Sequence, residues 1–126
     1  MNDKYIPGQC NIGKYESEKR LRTGIFGAIL SCSFSFLFYV FAIDKFIVFL
    51  VLFGSVFTAL LGIIQSRMKF CAYYGILSVF NFETIKSLTS TKIPADIIKD
   101  KQKSLEIITI SMLGALAYSV IFIILT

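Results

Sequence analysis

Uncharged apolar runs alternate with polar stretches along this chain, and their lengths decide the reading. Gly24 to Ile43 is 20 residues without a charge, Phe46 to Ile64 is 19, and Ile107 to Leu125 is 19. A helix of about 20 apolar residues crosses a bilayer core of roughly 30 Å. In lipid the backbone must satisfy its own hydrogen bonds, so each run is expected to be a helix. Only Asp44 and Lys45 separate the first two runs, which predicts a tight antiparallel hairpin. A fourth apolar stretch, Phe70 to Phe82, has 13 residues and contains Gly75 and Asn81. It is too short to span and is read as interfacial or re-entrant, with Tyr73 and Tyr74 at headgroup level. The expected fold class is therefore an all-α membrane protein. It consists of a helical hairpin and a third transmembrane helix, with a short interfacial segment and a cytoplasmic polar linker.

As a single membrane domain, the chain divides into an arm (1–23), spans at 24–43 and 46–64, the segment 65–82, the linker 83–106 and a last span at 107–125. In the arm, Glu16 precedes Arg20 by four residues and Glu18 precedes Arg22 by four, a spacing that supports helix. The arm is expected to run on into the first span. Its polar stretch is 23 residues and no small-residue cleavage site follows, so a retained helix is expected rather than a signal peptide. In the linker, Ser and Thr cluster before Pro94, which reads as a loop followed by a helix with proline in its first turn.

Charge then orients the spans. With three crossings, 12 Lys and Arg fall on the side of the arm and linker, and Lys45 alone falls on the other. The excess marks the cytoplasmic face, predicting a bacterial inner-membrane protein with its N-terminus inside and its C-terminus outside. If Phe70 to Phe82 also crossed, five lysines would move outward, so the bias favours three spans. The same basic face is a candidate contact for anionic lipid. A nucleic-acid partner is not expected, because the aromatic residues sit in the spans and not on a soluble basic platform.

Composition removes several chemistries. The chain is 56% hydrophobic and 17% charged, with mean hydropathy +0.73 and net charge +5. It has no His, which excludes a Ser-His-Asp triad, a Cys-His pair and His-ligated metals. Its 3 Cys lack Cys-x-x-Cys spacing, so neither a zinc ribbon nor an iron–sulfur run is expected. No catalytic residue, cofactor or metal site is expected. No Asp, Glu, Lys or Arg lies within a span, which argues against an ion-coupled transporter acting as a monomer.

Two patterns remain. Small residues recur every four positions in each span: Gly27, Ser31 and Ser35; Gly54, Thr58 and Gly62; Ser111, Ala115 and Ser119. Such spacing lets helix backbones approach closely, within the chain or in a homo-oligomer. Among the cysteines, Cys32 is a mid-span small hydrophobe. Cys10 and Cys71 both fall at the cytoplasmic boundary. Arg67 and Lys69 stand near Cys71 and would favour its thiolate, so these two are candidate thiols, although reduced cysteines without a role suit the same compartment.

The signatures Cys10-Asn11-Ile12-Gly13, Arg20-x-x-x-Gly24, Gly62-x-x-Gln65, Cys71-x-x-x-Gly75 and Val79-Phe80-Asn81 resemble those of a group of short, uncharacterised bacterial membrane proteins. Residues 9 to 82 are also similar to the small inner-membrane domain that bacteria fuse to a rhodanese. The resemblance implies a helical hairpin that dimerises. A link to sulfur compounds would come from the rhodanese partner, which this chain lacks, and the Cys-Pro of that domain is replaced here by Cys71-Ala72. Physically, Asn11 would cap the first helix, with Gly13 permitting a turn. Arg20 or Arg22 would reach back to phosphates or to carbonyls in the Gln65 to Gly75 segment, and Gln65 would bond Asn11 or a backbone group. The expectation is that the N-terminal motif docks on residues 65–75. Three functions stay open. The favoured one is a structural or accessory membrane component without catalysis, in a homo-oligomer or with a larger membrane-protein partner. The others are a sulfur-handling or redox protein using Cys10 and Cys71, and a passive small-solute channel formed by an oligomer.

Overall fold

The computed structural model describes residues 5–80, 89–90 and 93–126. Four helices account for nearly all of them: α1 (Lys14–Val40), α2 (Lys45–Met68), α3 (Ala72–Leu77) and α4 (Pro94–Leu125). Two-residue strands β1 (Val79–Phe80) and β2 (Thr89–Ser90) form a short antiparallel ladder. The protein is all-α, and α1, α2 and α4 are each long and apolar enough to cross a membrane. At 1.5 Å per residue, the 32 residues of α4 extend about 48 Å, so its charged first three turns project beyond a bilayer core. The structure thus makes the second half of the expected linker and the last span one helix. Pro94 stands in its first turn, where a missing N–H costs nothing.

The hairpin between α1 and α2 is closed by Asp44. Its carboxylate accepts from the N–H groups of Phe46 (2.9 Å) and Ile47 (3.4 Å), satisfying two orphan donors of α2. Helix α2 packs against α1 on one flank and α4 on another. Helix α3 does not cross. It folds back against α4 at the end of the bundle that holds the N-terminal arm, while residues 38–48 gather with 122–126 at the opposite end. The described basic residues of the arm, of 67–69 and of 99–103 therefore share one end, opposite Lys45.

The bundle is polar and small inside and apolar outside. The buried stripe of α4 is Asp100, Ser104, Ile107, Ser111, Ala115 and Ser119, whereas Leu113, Ile121 and Ile124 point outward. In lipid the exterior is as apolar as leucine, so helices associate by close packing rather than by burying large hydrophobes. Ser104, Ser111 and Ser119 donate their hydroxyls to carbonyls four residues back, which satisfies these three donors within the helix.

The closest approach joins α1 and α2. A Cβ on Gly62 would lie 2.5 Å from Gly24 N and 2.7 Å from Arg20 O, and one on Gly27 would lie 2.7 Å from Ala59 N. The interface rows are Gly24, Gly27 and Ser31 on α1, and Ser55, Ala59 and Gly62 on α2. This corrects the expected stripe of α2. Gly54 is exposed, with nothing within 4 Å of its Cβ position, and Thr58 is half-buried with its hydroxyl on Gly54 O. A strict four-residue repeat turns about 80° around a helix over eight residues, so Gly62 meets α1 while Gly54 has rotated away. Ser35 is half-buried beyond the α1 row and its hydroxyl pairs with that of Tyr118 at 2.9 Å, joining α1 to α4.

Candidate functional site

The polar chemistry is concentrated where the N-terminal arm meets the turn after α2. That turn begins at Lys69, in the left-handed conformation at φ 51°, ψ 39°. Its N–H closes α2 onto Gln65 O and Ser66 O, an ending glycine usually provides. The reversal leaves Lys69 O facing the arm, where it accepts from Asn11 N (3.1 Å) and Ile12 N (3.4 Å). Asn11 completes the join. Its amide donates to Cys71 O (3.0 Å) and its carbonyl accepts from Cys71 N (2.7 Å), with Asn11 fully buried. One turn into α1, Ser17 donates to Ser66 O at 2.9 Å.

Asn11 is therefore not a helix cap. Gly13 holds that position in extended backbone (φ −84°, ψ −176°) without a side-chain bond, so no glycine-requiring turn occurs there. Nor does Asn11 serve Gln65, because both of its polar atoms are taken by Cys71. Gln65 is 5% exposed and its side chain makes no hydrogen bond among the described residues.

Arg20 lies over this join. Its Nη2 donates to Cys71 Sγ at 3.4 Å and stands 3.4 Å from Glu16 Oε2, while its Cζ sits 5.7 Å from the centre of the Tyr74 ring. Glu16 is an unusual buried carboxylate. Its Oε2 has the charge of Arg20 beside it but receives no hydrogen bond. Arg22, the alternative reach residue, is exposed on the outer side of the arm near Tyr15 and Glu18. Cys71 is 2% exposed, within a cluster of Ile12, Cys71 and Tyr74. Cys10 is half-buried, its Sγ 3.7 Å from Ile12 O. No disulfide forms among the described residues.

A cavity of about 350 Å³ opens beside Arg20, with Thr23, Gln65 and Cys71 at its polar end and Phe57, Thr58 and Leu61 further along α2. No group of three or more potential metal ligands occurs among the described residues. The structure thus brings Asn11, Arg20, Gly24, Gln65 and Cys71 to one end of the α1–α2 pair. Gly75 belongs to the neighbouring contact of α3 with α4. A Cβ there would run into Ser104 Oγ and come within 2.7 Å of the Phe70 ring. Asn81 lies outside the described residues.

Several residues of this end were not among the sequence candidates. Asp100, fully buried, accepts from Tyr5 Oη (2.6 Å) and Gly8 N (2.7 Å). Gly8 sits at φ +70° in the turn that Ile6 and Cys10 close, a conformation suited to glycine, with its Cβ position 3.2 Å from Lys99 Cβ. The Pro7-Gly8 dipeptide is a turn signal in the sequence, but nothing there names Asp100, one carboxylate among many charges in a polar linker. Because α3 rests on α4 through Gly75, Gly75→Ala is expected to cost about 1–3 kcal/mol by overpacking. Adding Ser104→Ala should recover part of that loss, because it removes the hydroxyl the new methyl would strike. Unfolding of the two variants in detergent, followed by circular dichroism, checks this.

Fold and site together define a three-helix membrane bundle whose end at the N-terminal arm is tied by buried polar contacts. No family model, curated protein or solved structure matches the chain.

Proposed function

We propose that this protein is a structural or accessory component of a bacterial inner membrane, without catalytic activity of its own. It acts as a homo-oligomer or beside a larger membrane protein. One observation carries the reading: Asn11, Ser17 and Asp100, buried at the basic end, are used to hold the chain to itself. Asn11 is consumed by the Cys71 backbone, Asp100 by Tyr5 and Gly8, and Ser17 by Ser66. A reaction centre needs such groups aimed at a substrate instead. The exposed apolar surface of α1 and α4, including Phe26, Ile29, Phe36 and Leu113, suits contact with acyl chains and with other helices. The short bacterial proteins that the Asn11, Arg20 and Cys71 signatures resemble are the kind of group to which we assign it.

The clustering of basic residues supports an orientation with the N-terminus in the cytoplasm and the C-terminus outside. A C-terminal alkaline phosphatase fusion is expected to be active and a C-terminal green fluorescent protein fusion dark. The opposite pair of results reverses the orientation.

The second reading, sulfur or redox handling, draws on the contact of the Arg20 guanidinium with Cys71 Sγ. A deletion strain complemented with the Cys10→Ser, Cys71→Ser variant separates the two. The accessory reading expects complementation equal to wild type, and the thiol reading expects its loss. Proteoliposomes that pass small solutes faster than protein-free liposomes would instead establish the channel reading.

A further inference from the structure

The cavity beside Arg20 holds a buried polar side chain that the fold does not consume. Gln65 is more than nine-tenths buried, lines the cavity and has no hydrogen-bond partner among the described residues. Its amide atoms are not sealed off as Glu16 Oε2 is, so they face the open space of the cavity. The amide offers two donors and an acceptor to whatever occupies the space. Arg20 supplies the charge. A guanidinium has five N–H donors in a planar fork, and the contacts to Cys71 Sγ and Glu16 Oε2 both engage Nη2. Glu16 does not line the cavity and stands against the same nitrogen, so it anchors the guanidinium and leaves the rest of the fork for a ligand. Around it the arm carries Lys14, Lys19 and Arg22 against Glu16 and Glu18, a positive field for an anion.

The shape of the cavity narrows the class. From Gln65 it follows α2 to Leu61, Thr58 and Phe57. Eight residues of helix are about 12 Å, which leads from the polar boundary into the apolar layer. The hydroxyls of Thr23 and Thr58 are turned to carbonyls of their own helices, leaving the lower wall largely apolar. A free anion would fill the polar end alone. An amphiphile fills both, with its charged head on Arg20 and Gln65 and its first methylenes along Leu61 and Phe57.

We propose that this cavity is a binding site for an anionic phospholipid, whose phosphate is held by Arg20 and Gln65 and whose acyl chain lies along α2. The proposal goes beyond the accessory reading, since a bundle that binds no particular lipid is still a scaffold. The phosphate chemistry could also be met by inorganic phosphate, and the test separates the two.

The experiment is native mass spectrometry of the full chain, released from a non-ionic detergent. The probes are short-chain phosphatidylglycerol and phosphatidylcholine of equal acyl length. A single phosphatidylglycerol is expected to be retained about tenfold more tightly than phosphatidylcholine, whose phosphate meets the same groups but whose choline cation the basic arm repels. Thr58→Leu fills the apolar part without removing a hydrogen bond between helices, since the Thr58 hydroxyl bonds Gly54 O of its own helix, and Gln65→Leu removes the amide. Each should weaken retention about tenfold by the same arithmetic, with the helical spectrum unchanged. Arg67→Gln, exposed and off the cavity, should bind as wild type. Equal retention of both lipids, or wild-type binding by Thr58→Leu, overturns the proposal. Displacement by millimolar inorganic phosphate does so too, by making the site one for a free ion. A loss in Arg67→Gln as large as in Gln65→Leu overturns it in favour of diffuse surface attraction.

Discussion

Gly62→Leu is expected to separate α1 from α2, and Gly54→Leu, one of the same four-residue series, is expected to leave the bundle intact. At Gly62 the obstacle to a side chain is backbone: Gly24 N and Cα lie 2.5 and 2.6 Å from the Cβ position and Arg20 O lies 2.7 Å away. No rotamer change relieves a clash at Cβ, so the helices must move apart. Overpacking a tight core costs about 1–3 kcal/mol and at times more, and a backbone-limited site belongs at the upper end of that range. Against a total stability of about 5–15 kcal/mol, such a loss is readily measured. At Gly54 nothing lies within 4 Å, and an exposed substitution away from special features changes stability by about 0.5 kcal/mol or less. Reversible unfolding in mixed micelles, followed by circular dichroism, compares the two. Equal stability of the variants would show that the close α1–α2 contact does not hold the bundle together.

The second large effect belongs to Asn11. Asn11→Ala leaves the N–H and C=O of Cys71 without partners in a site closed to water. Each stranded group costs about 1–3 kcal/mol, so the pair is worth about 2–6 kcal/mol. The loss should appear first as local opening, because the arm can leave α2 while the three long helices stay packed. Cys71, at 2% exposure, reports that opening directly. In a background of Cys10→Ser and Cys32→Ser, maleimide labelling of Cys71 is expected to accelerate roughly 30-fold or more, at 1.4 kcal/mol per factor of ten. Labelling at the parent rate would mean that the reciprocal pair does not hold the arm.

These two experiments also mark where a linear reading stops. The three long helices and the hairpin turn were legible from the lengths of the uncharged runs. So was the start of a helix at Pro94, because bilayer thickness and backbone hydrogen bonding leave few alternatives. The stripe of Ser111, Ala115 and Ser119 coincides with the buried face of α4, but Gly54, Thr58 and Gly62 divide between solvent-facing, cavity-lining and packed positions. A spacing of four does not say which neighbour a helix face meets, nor how far the stripe winds before it passes the line of contact.

At the basic end the same division holds. Both polar signatures fall on one membrane boundary by the positions of the spans alone, and that much is decided by hydropathy and charge. The partner of each group is decided by the turn after α2. Lys69 in the left-handed conformation swings its carbonyl toward the arm, and this turns Asn11 from an expected helix cap into a clamp on Cys71. With Asn11 so engaged, Gln65 is left facing the cavity beside Arg20. Asp100 likewise acquires its role only because α4 runs past the Pro7-Gly8 turn, more than 90 residues earlier in the chain. Span length, helix type and the gathering of basic residues between the spans are properties of short stretches of chain in a fixed solvent, so composition and period suffice for them. Which buried polar atom meets which depends on rotations and turns that bring distant residues within 3 Å, and only the packed bundle specifies those.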